Sequence, residues 1–130
     1  MIGIDSNIII DFLKDKSFAL KIKEYFKEEV YTSEIVIYEV LYGVYASKQI
    51  SEAQVKEIED FIDSLNVFPV NRKSSIYAAK LAGRLAKEGK IIGDNDLLIA
   101  GTLLANGCNR FLTRNVKDFE RIKELEIIKV

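Results

Sequence analysis

Apolar residues fall into short clusters separated by polar stretches, and the spacing inside each cluster changes along the chain. Met1 to Ile4 is a brief apolar run and predicts a strand. After it, Ile8, Ile9, Ile10, Phe12 and Leu13 recur at helical spacing, with Ser6 placed to cap that helix. The pattern then predicts a helix over Phe18–Lys27, a strand over Val30–Thr32, and a helix from Glu34 to Ala46 capped by Ser33. Ser51 and Gln54 make a capping-box pair that opens a helix running to Leu65. Val67-Phe68-Pro69-Val70 holds the only proline and predicts a strand at or near a sheet edge. A helix over Lys73–Glu88 is stopped by Gly89. The next segment is unusual: Gly93-Asp94-Asn95-Asp96 runs directly into Leu97-Leu98-Ile99-Ala100, which is apolar on nearly every side. That helix is expected to be buried whole, capped by Asp94 or Asn95 and ending near Asn106-Gly107. Strands at Arg110–Thr113 and Ile127–Val130 complete the order.

Strands separated by helices imply an α/β fold with parallel pairing and helices on both faces of the sheet. In such sheets functional groups collect at the carboxyl ends of the strands. Asp5 follows the first strand directly. Thr113 and Asn115 follow the fourth, and the Asp94/Asp96 pair opens the helix that feeds it. Glu39 lies about a turn and a half into the helix after the second strand. Acids from three distant parts of the sequence are therefore expected to converge on one edge.

Composition narrows the chemistry. The 130 residues suit one domain, 1–130, with no repeat and no Pro/Gly/Ser-rich linker. No run approaches the ~18 apolar residues of a membrane span. Met1-Ile2-Gly3-Ile4-Asp5 lacks the basic start of a secretory signal, and Cys108 is the single cysteine, so a cytoplasmic, reducing location is expected and Cys108 is expected to be inert. Histidine is absent altogether. That removes Ser-His-Asp and Cys-His catalysis and any imidazole ligand, and leaves carboxylates, Lys, Tyr, Ser/Thr or a bound ion. Oxygen-only ligands favour hard cations such as magnesium or manganese. A net charge of −1 does not advertise a nucleic-acid binder, so any such contact must come from local basic patches.

Individual residues carry two readings. Asp5 is either a helix cap or a functional acid, and its place at the tip of a central strand favours function. Glu39 is set in Ile35-Val36-Ile37-Tyr38-Glu39-Val40-Leu41-Tyr42, where a buried acid is costly unless paired, protonated or bound to a cation. Asp96 opens the apolar run most directly and is the stronger ligand candidate; Asp94 is a supporting residue or a cap. Lys73, Lys80, Arg84 and Lys87 share one helix face, which is a solvated face or a phosphate-tracking stripe. Arg114 and Lys117, in the turn after the fourth strand, are solvated or bind phosphate. Tyr38, Tyr42 and Tyr45 repeat at helical spacing and suit a core or an interface.

These residues carry a family resemblance. Ile4-Asp5-Ser6-Asn7, Glu39 with Leu41-Tyr42-Gly43, Asn95-Asp96-Leu97-Leu98-Ile99-Ala100, and Leu112-Thr113-Arg114-Asn115 with Asp118-Phe119 occur in order over nearly the whole chain. The chain resembles PIN-domain ribonucleases, and more closely the small VapC-type toxins of toxin–antitoxin pairs. The resemblance implies a three-layer α/β/α sandwich around a parallel sheet and hydrolysis of RNA phosphodiester bonds with Mg2+ or Mn2+. It implies Asp5, Glu39 and Asp96 as metal ligands, with Ser6 and Asp94 in support. Thr113 would orient a carboxylate or water, and Arg114, Lys117, Lys80 and Arg84 would hold RNA phosphates. Asn115 stands where related sequences often carry Asp, so a second ion would be held more weakly, and Asp118 is a candidate substitute. The implied partners are RNA, a second copy in a homodimer, and a cognate antitoxin, for which Ile8, Ile9, Phe12, Tyr42 and Tyr45 are candidate contacts. The alternative is a PIN-like RNA-binding or scaffold module without turnover. A phosphoacceptor domain fits poorly, because Ser6 rather than a second acid follows Asp5.

Overall fold

A computed structural model describes residues 1–130. Five strands form one sheet: β1 (Ile2–Ile4), β2 (Val30–Ser33), β3 (Asn66–Phe68), β4 (Arg110–Leu112) and β5 (Glu126–Ile128). Their spatial order is β3-β2-β1-β4-β5, and every pairing is parallel. Seven α-helices connect them: α1 (Ser6–Lys14), α2 (Lys16–Ile22), α3 (Glu34–Ala46), α4 (Glu52–Asp63), α5 (Arg72–Lys87), α6 (Asp94–Ala105) and α7 (Val116–Phe119). The chain moves outward from β1 to β3, then crosses back to β4 and β5. Right-handed crossovers in these two opposite directions place α1–α4 on one face and α5–α7 on the other, which gives the expected α/β sandwich. The proline run does mark an edge, since β3 is outermost and ends at Phe68, just before Pro69.

The central strand explains the architecture. Ile2, Gly3 and Ile4 are all buried, because a parallel strand covered on both faces has no solvent side. A side chain on Gly3 would lie 2.9 Å from Leu103 of α6, so glycine lets the buried helix sit against β1. Leu97, Ile99, Ala100 and Leu103 bring α6 into a core cluster of 24 buried residues. Both helices of the α5–α6 pair end in a glycine at positive φ, Gly89 and Gly107, with paired closing bonds. Lys90 N–H donates to the Leu85 carbonyl, and Cys108 N–H to that of Leu103, each at 2.9 Å. No helix is long and apolar enough to cross a membrane.

Several boundaries differ from expectation, each for a local reason. Asp5, not Ser6, caps α1, by accepting the Ser6 N–H at 2.8 Å. The helix expected over Phe18–Lys27 starts earlier, because Asp15 accepts from Ser17 and Phe18 N–H groups, and it tightens into a 3-10 turn at Lys23–Lys27. Neither Asp94 nor Asn95 caps α6; Gly93 occupies the cap position without a side-chain bond. The Ser51–Gln54 capping box is present as expected, and Asn71 with Ser74 forms a second one at α5.

The α5–α6 contact is the tightest test of this packing. A Cβ on Gly101 would fall 2.7 Å from the backbone nitrogen of Ala78, where no flexible side chain can yield. Gly83, on the exposed surface of α5, would have nothing within 4 Å of an added Cβ. Gly101→Ala is expected to destabilise the protein by about 1–3 kcal/mol, whereas Gly83→Ala stabilises it by about 0.5–1 kcal/mol. Urea midpoints that move in the same direction for both variants would contradict the packing.

Candidate active site at the carboxyl ends of the central strands

Strand order reverses between β1 and β4, and the two strands pair with Gly3 opposite Phe111 and Ile4 opposite Leu112. The register carries straight into the residues that follow: Asp5 N–H donates to the Leu112 carbonyl at 3.1 Å. Asp5 and Thr113 therefore leave their strands side by side. The Thr113 hydroxyl donates to Asp5 Oδ2 at 2.6 Å, and Ser6 N–H holds Oδ1. On the other flank, the Thr32 hydroxyl donates to the Ile4 carbonyl at 2.8 Å and closes the tip of β1. Asp5 and Thr113 are both buried.

The turn after β4 extends the network. Asn115 N–H donates to the Thr113 oxygen at 3.0 Å. The Asn115 side-chain amide donates to Asp96 Oδ2 at 3.2 Å and to Asp118 Oδ2 at 3.3 Å. Asn115 thus turns its nitrogen, not its oxygen, to the acids and bridges the first turn of α6 to α7. Glu39 reaches the same edge from α3, half-buried, and its Oε1 is buried with no hydrogen-bond partner. Asp94 is exposed on the first turn of α6.

The electrostatics follow from this crowding. Burial pushes the Asp5 carboxyl up, opposed by the Thr113 and Ser6 bonds. Glu39 is pushed up by burial, then by the charges of Asp5 and Asp96, with the Ser6 hydroxyl opposing. Asp96 is pushed up by burial, then by Asp5 and Asp118, with Asn115 opposing. Asp5 thus raises both Glu39 and Asp96, and no cation offsets any of the three. As they stand, no three are grouped closely enough to hold a metal ion. Their chemistry nevertheless fits one: the donors are all hard oxygens, the charges are mutually repulsive, and one buried oxygen lacks a partner.

The basic residues are less free than their positions suggested. Arg84 is committed to a bidentate pair with Glu124, at 2.7 and 2.9 Å, so its expected role on phosphate is corrected. Arg114 pairs with Asp11 at 2.9 Å and lies over the Phe18 ring, 4.6 Å from its centroid. Lys80 and Lys117 are exposed. Sequence reasoning missed Asp11, Phe18 and Glu124, because a pairing across helices leaves no local signal. Among the expected partner contacts, Ile8 and Ile9 are fully buried and belong to the core. Phe12 stacks on Phe26, with ring centroids 4.6 Å apart. Tyr38, Tyr42 and Tyr45 are exposed, so they form a surface stripe rather than core. A separate groove of about 370 Å³ runs between α1, α3 and α4, lined by Ile10, Leu13, Val40, Val44 and Ile58 among others.

The PIN-domain family model matches residues 2–125. This chain belongs to the PIN-domain family. It is 38% identical over 93 residues to Ribonuclease VapC2 of Rickettsia felis, covering 72% of this chain and 68% of that protein. Ribonuclease VapC1 of Haemophilus influenzae is 31% identical over 126 residues, covering 95% of this chain and 92% of the relative. Among solved structures, VapBC2 from Rickettsia felis bound to a promoter DNA fragment superposes with a TM-score of 0.85 at 30% identity, covering 100% of this chain and 99% of that one. The PIN fold is thus shared over the whole length, and the acid cluster sits at its strand-order reversal.

The raised carboxylates have a consequence for stability. An acid whose folded pKa is raised costs stability while ionised, above its folded pKa, and that cost vanishes once the pH falls below the unfolded value of about 4. In chelator at pH 7.5, Glu39→Gln and Asp96→Asn are each expected to raise Tm by about 2–4 °C. The gain should shrink as the pH is lowered towards 4. Thermal melts in which both variants are less stable than wild type would contradict the mutual repulsion.

Proposed function

We propose that this chain is a magnesium- or manganese-dependent endoribonuclease, acting in the cytoplasm as the toxin of a toxin–antitoxin pair. The observation that carries the reading is the group of Asp5, Glu39 and Asp96 at one sheet edge. Each is pushed up by burial, and Glu39 Oε1 is buried without a hydrogen-bond partner. The ribonuclease names of the relatives support the substrate class, and the VapBC pairing in the superposed structure supports the partner.

Asp5, Glu39 and Asp96 would hold the ion, with Asp118 completing the set; Asn115, which turns its amide nitrogen to Asp96 and Asp118, would have to rotate its amide to add an oxygen. A bound magnesium or manganese ion would neutralise charge on the scissile phosphate and make water a competent nucleophile at neutral pH. The chain's own residues do the positioning. Thr113 fixes Asp5 Oδ2, Ser6 N–H fixes Oδ1, and Asn115 holds Asp96 and Asp118 in one orientation. Lys117, exposed beside Asp118, is the predicted cation near the acids left to meet RNA phosphates, whereas Lys80 lies with Leu104, Ala105 and Glu124 at the other end of α6 from Asp96. The groove between α1, α3 and α4 and the exposed Tyr42 and Tyr45 suit an apolar antitoxin segment, and a second copy in a homodimer is the further partner.

The test is cleavage of structured RNA with magnesium. Chelator is expected to abolish it, and Asp96→Asn to reduce it on the order of 100-fold. Unchanged cutting by Asp96→Asn would sink the assignment. RNA binding without cleavage at saturating manganese would instead make the protein a binding or scaffold module. Calorimetry separates the ligands: Asp118→Asn is expected to weaken manganese binding less than Asp5→Asn does, and the reverse order would make Asp118 a central ligand.

A further inference from the structure

The turn Thr113-Arg114-Asn115 carries two residues that hold acids, and between them one that points away. Thr113 is bonded to Asp5, and Asn115 to Asp96 and Asp118. Arg114 instead reaches α1 and α2, where it pairs with Asp11 at 2.9 Å and covers the buried ring of Phe18. Asp15, which caps α2, adds a second negative charge near the guanidinium. A planar guanidinium can satisfy a carboxylate at its edge and stack on an aromatic ring with its face at the same time. Here the two contacts tie the turn to two different helices.

We propose that Arg114 is a positioning residue, a latch that fixes the turn after β4 so that Thr113 and Asn115 hold the acids in register. The inference rests on the nuclease reading for its effect on turnover, but not for its effect on the turn itself. It also gives Arg114 a role other than phosphate binding. The turn's own tethers are few: Asn115 N–H donates to the Thr113 hydroxyl oxygen at 3.0 Å, and the Asn115 carbonyl accepts from Phe119 N–H at 3.4 Å. Without the latch, that turn is free to move while β1, β4 and α6 stay packed. The ion pair is about half exposed, with side-chain exposures of 46% for Arg114 and 37% for Asp11, and pairs this exposed contribute little to global stability. The variants are therefore expected to fold.

The experiment compares Arg114→Ala, Asp11→Ala, the double variant and Arg114→Lys in the full chain. In the metal-free protein, either alanine variant should speed hydrogen exchange at the Asn115 amide about tenfold, with core amides of β1 and α6 unchanged. In magnesium-dependent RNA cleavage, each should lower kcat about tenfold with KM and the salt dependence of RNA binding unchanged. The double variant should be no worse than either single one, because both remove the same latch. Arg114→Lys keeps the charge pair and should recover part of the loss. Unchanged exchange at Asn115 overturns the latch. So does the pattern of a direct phosphate ligand, in which Arg114→Ala raises KM and flattens the salt dependence while Asp11→Ala leaves both alone. A wild-type protein that cuts no RNA contradicts the nuclease reading, and the exchange measurement still decides the latch.

Discussion

Asp5 sits at the tip of the central strand with its carboxylate buried, held by the Thr113 hydroxyl at 2.6 Å and by the Ser6 amide. The rest of the site is arranged around that one charge. The β1–β4 register brings Asp5 and Thr113 together, and the reversal of strand order between these two strands opens the crevice in which they lie. The Asp5 carboxylate then raises Glu39 and Asp96 across the same space. A fold that gathers three acids in a half-buried edge sets up a field that a divalent cation would relieve. The stability lost to their repulsion is the physical link between the fold and the proposed chemistry.

Much of this was legible in the chain because it depends on local signals. The unbroken run after Asp96 announced a buried helix, and the middle of α6 is buried, at Leu97 and Ile99–Leu103, while Leu98 and Leu104 are only partly covered. Pro69 marked the edge beside β3, and the Ser51–Gln54 pair marked the start of α4. Asp5, Asp96, Thr113 and Asn115 were placed at strand ends and helix starts, and the structure brings them into one hydrogen-bonded network. What was not legible depends on partners far away in sequence. Arg84 looked like a free cation on a basic stripe until Glu124, forty residues on, claimed it. Arg114 was open to solvent or to phosphate in the sequence, and α1 and α2 supply Asp11 and Phe18 as its partners. Cap assignments also moved by one residue, since the same Asp5 carboxylate serves both as helix cap and as site acid.

The distribution of positive charge sharpens the functional picture. With Arg84 and Arg114 engaged, no arginine stands beside the acids as a counter-charge, and the groups that approach them most closely are neutral donors. Thr113, Ser6 and Asn115 orient carboxylates without neutralising them. A bound cation would balance that charge, and oxygen-only donors would favour a hard divalent ion. Asn115 is informative here. It brings no charge of its own and bridges Asp96 and Asp118 through one amide nitrogen.

The most direct measurement is the anomalous scattering of crystals soaked in manganese. A cluster built around a cation predicts a peak at coordination distance from the carboxylates of Asp5, Glu39 and Asp96, with the Glu39 oxygen that now lacks a partner drawn onto the ion. Manganese bound elsewhere, or absent at saturating concentration with Glu39 still unpaired, would contradict the claim that these acids are gathered to hold a metal.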